Sequence, residues 1–91
     1  MRTEILEDIG LSKTEIQVYL ALLEIGSSTA GPIIEKSGLP SSVVYLALHK
    51  LLAKGLISFI KKSQIKQYEA TNPEHLVHYI DEKKERFLEI L

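Results

Sequence analysis

Apolar positions along the chain recur first every three to four residues and later every two, and this change of period sets out the expected elements. Ile5, Leu6 and Ile9 mark a short helical turn closed by Gly10. Ser12 then opens a helix with a capping box, its hydroxyl accepting from the backbone three residues on while Glu15 reaches back. Ile16, Tyr19, Leu20, Leu22 and Leu23 form that helix's apolar stripe, and Gly26 ends it. Ser27 to Thr29 suits one very short strand. Thr29 is the expected cap of a brief helix that tolerates Pro32 in its first turn and stops at Gly38. Gly38-Leu39-Pro40-Ser41 forms a tight turn, glycine supplying a left-handed exit and proline an extended approach. Ser41 or Ser42 is expected to cap the next helix, which runs to Lys54 with Gly55 as its stop. Val44, Leu48 and Leu51 suffice for its core-facing stripe.

Beyond Gly55 the period falls to two. Leu56 to Lys61 and Ile65 to Ala70 read as the strands of a hairpin around the polar tip Lys62-Ser63-Gln64. Asn72-Pro73 caps and starts a last helix that continues to the final residue. Two short helices joined by a tight turn and followed by a hairpin make a winged helix-turn-helix. The predicted fold class is therefore mainly α with a small β-hairpin (α+β), carrying an added C-terminal helix. Residues 1–72 are the expected winged helix-turn-helix domain, and residues 73–91 the C-terminal helix, read as a dimerisation element.

Ninety-one residues allow at most one small core, and 45% hydrophobic with 25% charged residues is the composition of an ordinary globular domain. No apolar run approaches the roughly 20 residues that a bilayer requires. Glu4, Glu7 and Asp8 argue against a signal peptide, so a cytoplasmic location is expected. Cysteine is absent, which removes disulfides and thiolate metal sites.

Net charge is −1, but its distribution is uneven. Residues 1–35 carry a balance of −4 and residues 69–91 one of −3. Between them, residues 36–68 hold Lys36, Lys50, Lys54, Lys61, Lys62 and Lys66 with no acid, a balance of +6. A basic segment of this kind in a chain otherwise rich in carboxylates is the footprint of a polyanion binder.

Several fragments now share one register. Leu11 to Gly26 (LSKTEIQVYLALLEIG), Thr29-Ala30, Lys36 to Pro40 (KSGLP), Val44-Tyr45, Leu48, Leu51, Lys54-Gly55-Leu56 and Tyr68 to Pro73 (YEATNP) resemble the N-terminal domain of TrmB-type archaeal transcriptional regulators. The similarity spans about residues 9–75. It implies a winged-helix domain that binds duplex DNA, usually as a dimer, and controls transcription. Longer members carry a sugar-sensing domain after a coiled-coil linker. These 91 residues hold no counterpart of it, which leaves a stand-alone small regulator or a piece of a longer one. Nine lysines, ten glutamates and no cysteine also fit a thermophile-like composition, in keeping with an archaeal origin.

In such a fold the helix from Ser41 enters the major groove, its N-terminal half toward base edges. That face offers Ser41, Ser42, Tyr45 and His49, with Lys50 and Lys54 further along for phosphate. Lys61, Lys62 and Lys66 are expected to form a basic wing, and the first amides of both helices of the motif add phosphate donors. Tyr45 has a second reading as a packing residue. The helix departs from the family pattern, because Ser41, Val43, Leu46, His49 and Leu52 stand where charged or polar residues are more usual. It holds no arginine for guanine. An alternative function follows: a winged helix used for protein–protein assembly, docking through Val43, Leu46 and Leu52 with weak or no DNA binding.

Leu76, Ile80, Phe87 and Ile90 fall on one heptad-like stripe of the last helix, interrupted by Lys83, which suits a homodimer; folding back on its own domain is the alternative. His75, His78 and Glu82 have a spacing that a metal would accept, but a solvated helix face is the simpler reading, and no metal or other cofactor is expected. No nucleotide-binding glycine loop or nucleophile elbow is present, so no enzymatic activity is expected.

Overall fold

The structure, a computed structural model, describes residues 3–8, 10–71 and 73–91. Expectations resting on Ile9 and Asn72, and on the side chains of Ile5, His75 and Leu76, lie outside the described residues.

Helix α1 (Thr3–Asp8) leads into α2 (Lys13–Ile25). The capping box forms as its sequence implies: the Glu15 amide donates to the Ser12 hydroxyl at 3.2 Å, and the Ser12 amide donates to the Glu15 carboxylate at 3.3 Å. Strand β1 (Ser27–Ser28), α3 (Ala30–Ser37), α4 (Ser41–Ala53), β2 (Ile57–Lys62), β3 (Ile65–Ala70) and α5 (Pro73–Ile90) follow. The strands make one antiparallel sheet of order β1-β3-β2, with Ser28 opposite Tyr68 and Phe59 opposite Tyr68 on the other side. The α3–turn–α4 unit with the β2–β3 hairpin beside it is a winged helix of the α+β class.

The core is gathered around α2, which packs on α1, α3, α4 and β3. Leu6, Val18, Leu22, Ile33, Val44, Leu48, Leu51 and Leu56 are its most deeply buried side chains. Each such side chain contributes roughly 1.5–3 kcal/mol by leaving water. Val44, Leu48 and Leu51 face inward as expected, joined by Ala47. On α2 the buried set shifts to include Val18 and Ala21, while Leu23 is exposed. A helix packed on several sides buries a broader face than one amphipathic stripe describes.

Three local expectations are corrected. Neither Ser41 nor Ser42 caps α4: Pro40 is its N-cap, with an extended ψ of 149°, and its carbonyl accepts from the Val44 amide at 3.0 Å. Both serines lie inside the helix and exposed, with no side-chain capping bond at this end. Thr29 does stand at the N-cap of α3, but its hydroxyl makes no capping bond. The hairpin tip is two residues rather than three, because Lys62 pairs with Ile65 and belongs to β2. Ser63 and Gln64 take φ values of +50° and +67°. Two successive positive φ angles are the pattern of a type I′ turn, whose twist suits a two-residue hairpin. Residues other than glycine adopt it at some cost, which is why the sequence carries no clear turn signal there.

Candidate nucleic-acid interface

Burying Val44, Ala47, Leu48 and Leu51 turns the opposite side of α4 to solvent. Ser41, Ser42, Tyr45, Leu46, His49 and Lys50 are all exposed there, Tyr45 at 53% and Leu46 at 56%. Tyr45 is therefore a surface residue rather than a core one. The apolar set Val43, Leu46 and Leu52 does not form the continuous docking patch its composition suggests. Leu52 packs against the core and Val43 is half-buried, which leaves Leu46 as the one fully exposed member.

The hairpin register decides which lysines act together. Lys61 stands directly opposite Lys66, two residues along from the Phe59–Tyr68 pair. Side chains alternate along a strand, so all four lie on one face of the hairpin. Tyr68 anchors that face in the core, its ring centroid 6.1 Å from Phe59, and burial together with neighbouring Tyr45 pushes its phenol pKa up. The Lys66 ammonium sits 4.6 Å from the centre of the Phe59 ring. Lys62, displaced by one residue, points to the opposite face, with Ile60 and Ile65.

Lys61 and Lys66 look into a cleft of about 540 Å³ between the hairpin and the two helices. Tyr45 of α4, Gln64 of the turn, Ile65 and Tyr68 of β3, and Thr29, Ala30 and Gly31 at the start of α3 complete its walls, the edge position of Ile65 next to the turn letting it border the cleft. The first amides of a helix have no partner within it and carry partial positive charge. Two lysines, Tyr45, Thr29 and the first residues of α3 thus line one concave surface with no acid in its lining. Its charge and its donors are of the kind that a phosphate diester requires. No local pattern in the sequence marks Thr29 and Gln64 for this surface, because only the packing of α3 against the wing brings them together.

Lys54 takes another part. Its Nζ donates to the Glu15 carboxylate at 2.5 Å, where Glu15 is buried and Lys54 is a quarter exposed. Burial pushes the Glu15 pKa up, but the bonds from Lys54 and from Ser12 outweigh it and hold the group below its ordinary value of 4.5. The pair ties the start of α2 to the end of α4, so Lys54 is a structural cation. Lys36 likewise pairs with Glu24 on α2 at 2.9 Å, across an exposed surface.

On α5, Ile80 is half-buried and Phe87 and Ile90 are exposed, Ile90 at 82%, while the side chain of Leu76 lies outside the described residues. Val77, Leu88 and Leu91 add further exposed apolar surface. Tyr79 packs against the core, and from Asp81 onward every residue is exposed. The second half of the helix buries little against the body, although Lys83, Lys84 and Phe87 share a cleft with Asp8 and Gly10. Among the described residues, no group of three His, Asp or Glu side chains is placed to hold a metal, and no helix is long and apolar enough to cross a membrane.

Residues 6–74 match the family described as sugar-specific transcriptional regulator TrmB. The HTH-type sugar sensing transcriptional regulator TrmBL1 of Pyrococcus furiosus is 34% identical over 77 residues, which is 85% of this chain and 22% of that protein. Among solved structures, TrmBL2, described as an archaeal chromatin protein with a novel mode of DNA binding, superposes with a TM-score of 0.81 at 26% identity. That similarity covers 94% of this chain and 34% of TrmBL2. A MarR-family transcriptional regulator from Silicibacter pomeroyi shares the fold, with a TM-score of 0.68 at 18% identity over 92% of this chain and 62% of its own. TrmBL1 and the MarR-family protein are described as transcriptional regulators and TrmBL2 as a chromatin protein, and the chain spans only about a fifth of TrmBL1. The chain belongs to the TrmB family of transcriptional regulators.

Proposed function

We propose that this chain is a DNA-binding unit of a transcription regulator, with α4 lying in the major groove and the β2–β3 wing on the phosphate backbone. The observation that carries this reading is the cleft in which Lys61, Lys66, Tyr45 and the first turn of α3 converge. Its two lysines and Tyr45 belong to the acid-free span 36–68, so little intramolecular charge opposes a polyanion there. Ser41, Ser42, Tyr45 and His49 face base edges and Lys50 the flanking phosphates. Lys62, on the far face of the wing, reaches toward the phosphates that border the adjacent minor groove. Lys54 is left out, because its charge already serves Glu15. A cytoplasmic location accords with this role.

The test is fluorescence anisotropy with a labelled duplex of about 30 base pairs at several salt concentrations. With Lys50, Lys61, Lys62 and Lys66 on phosphates, the log–log slope of affinity against salt should be about −3 to −4 per protomer bound. Absence of binding at about 50 mM salt overturns the reading.

In this reading the chain acts as a homodimer through α5, with residues 1–72 forming the DNA-binding unit and residues 73–91 the dimer contact. Support comes from Phe87, Leu88 and Ile90, large apolar side chains on a helix half that is exposed throughout. Phe87→Asp with Ile90→Asp should convert the dimer to a monomer in sedimentation equilibrium, with the fold unchanged by circular dichroism. A wild-type chain that is monomeric at about 100 μM counts against the dimer.

A further inference from the structure

We infer that Leu46 reads thymine methyl groups in the major groove, so that the chain selects T·A pairs at the base step this residue meets. The inference rests on the DNA-binding reading above and specifies how sequence is recognised within it.

Leu46 is superfluous to the fold. Val44, Ala47, Leu48 and Leu51 already fill the inner side of α4, and Leu46 lies 56% exposed on the outer side. Ser42 and the half-buried Val43 lie one turn before it, and His49 and Lys50 one turn after. A leucine in the middle of that face gains nothing from water, and its helix neighbours are polar or cationic apart from the half-buried Val43, short of a continuous apolar patch. That pattern disfavours a protein partner and suits an anionic surface bearing isolated apolar points. The major groove is such a surface: the methyl group of thymine is the one apolar feature on its base edges.

The remaining composition of α4 removes the common polar routes to base recognition. The helix holds no Arg, Asn, Gln, Asp or Glu, so the bidentate contacts that arginine makes to guanine and the amides make to adenine are absent from it. Lys50 lies in the second half of the helix, away from the N-terminal residues that meet base edges in this motif. Ser41 and Ser42 suit several bases and discriminate weakly. Tyr45 and His49 add single polar contacts, and Leu46 adds an apolar one that separates thymine from cytosine. A thymine methyl against the isobutyl group removes apolar surface from both, whereas cytosine carries only a hydrogen at that place and leaves the isobutyl group in water.

The experiment begins with selection of bound duplexes from a randomised pool of about 30 base pairs, using the wild-type chain. Thymines of the selected site are then replaced one at a time by deoxyuridine, which keeps every hydrogen-bonding group and lacks only the methyl. At one position per half-site, the replacement should weaken binding about four-fold, the transfer value of one buried methyl group. Leu46→Ala should bind the thymine and deoxyuridine duplexes equally, while Ser42→Ala keeps the difference. Circular dichroism and thermal unfolding should match wild type for both variants, since both positions are exposed. Deoxyuridine tolerated at every position, or a difference that persists in Leu46→Ala, overturns the inference and leaves DNA binding intact. No duplex recovered from the pool at low salt overturns the DNA-binding reading, and the inference with it.

Discussion

Lys61→Glu combined with Lys66→Glu should weaken binding to duplex DNA by roughly 10²–10⁴-fold, the loss expected when two charge-assisted phosphate contacts are removed. The salt slope should become shallower by about two units at the same time. Lys62→Glu alone should have a smaller effect, because the hairpin register turns that side chain away from the cleft. The single change Lys61→Glu is the more telling. It converts a directly opposed like-charge pair into a Glu–Lys pair across the strands, which should raise stability by about 0.2–1 kcal/mol while DNA binding falls. A hairpin that keeps two lysines face to face retains a repulsion that an anion would relieve. Anisotropy titration and thermal unfolding of the same sample read both quantities. Unchanged affinity in the double variant would remove the cleft from the interface.

The second large effect concerns the buried pair. Lys54→Met should destabilise the chain by about 3–5 kcal/mol, since it leaves the Glu15 carboxylate buried without its cation. For a chain of this size each kcal/mol shifts the melting temperature by about 4–8 °C, so the variant should melt at least about 12 °C lower. Adding Glu15→Gln should recover part of the loss. The pH dependence follows from the direction of the Glu15 shift. Its pKa in the folded chain lies below the ordinary 4.5, so the unfolded chain takes up the proton first. The contribution is complete at neutral pH, begins to fade as pH falls through that value, and is gone below the depressed folded pKa. Thermal unfolding from about pH 7 to about pH 3 should show this acid limb in wild type and a shallower one in Lys54→Met. Equal limbs in the two proteins would contradict the assignment.

The cap of α4 shows how local signals rank. Serine is the better capping residue by side chain, and for that reason Ser41 and Ser42 attract the prediction. Proline has no hydroxyl, yet its fixed φ of −59° places the backbone of Pro40 where an N-cap must be, and helix α4 starts one residue after it. The serine hydroxyls are thereby released to the surface, which is where the proposed DNA contact needs them.

Legible in the sequence were the order of the elements, the capping box at Ser12 and Glu15, the inward stripe of α4 and the basic span 36–68. All of these are local: a period, a cap or a run of like charge lies within a few residues and acts through the chain's own geometry. The direction of individual side chains was settled elsewhere. One residue of strand extension put Lys62 and Lys61 on opposite faces, since strand side chains alternate. Lys54 was claimed by Glu15, a partner 39 residues away that no local pattern connects to it. Leu52 was drawn into the core and Leu46 left outside, a choice made by which neighbours α4 packs against. The sequence by itself determined what this chain is built from and that its middle third is cationic. Only the tertiary structure decided which cations are free to meet a phosphate, because that depends on contacts between elements distant along the chain.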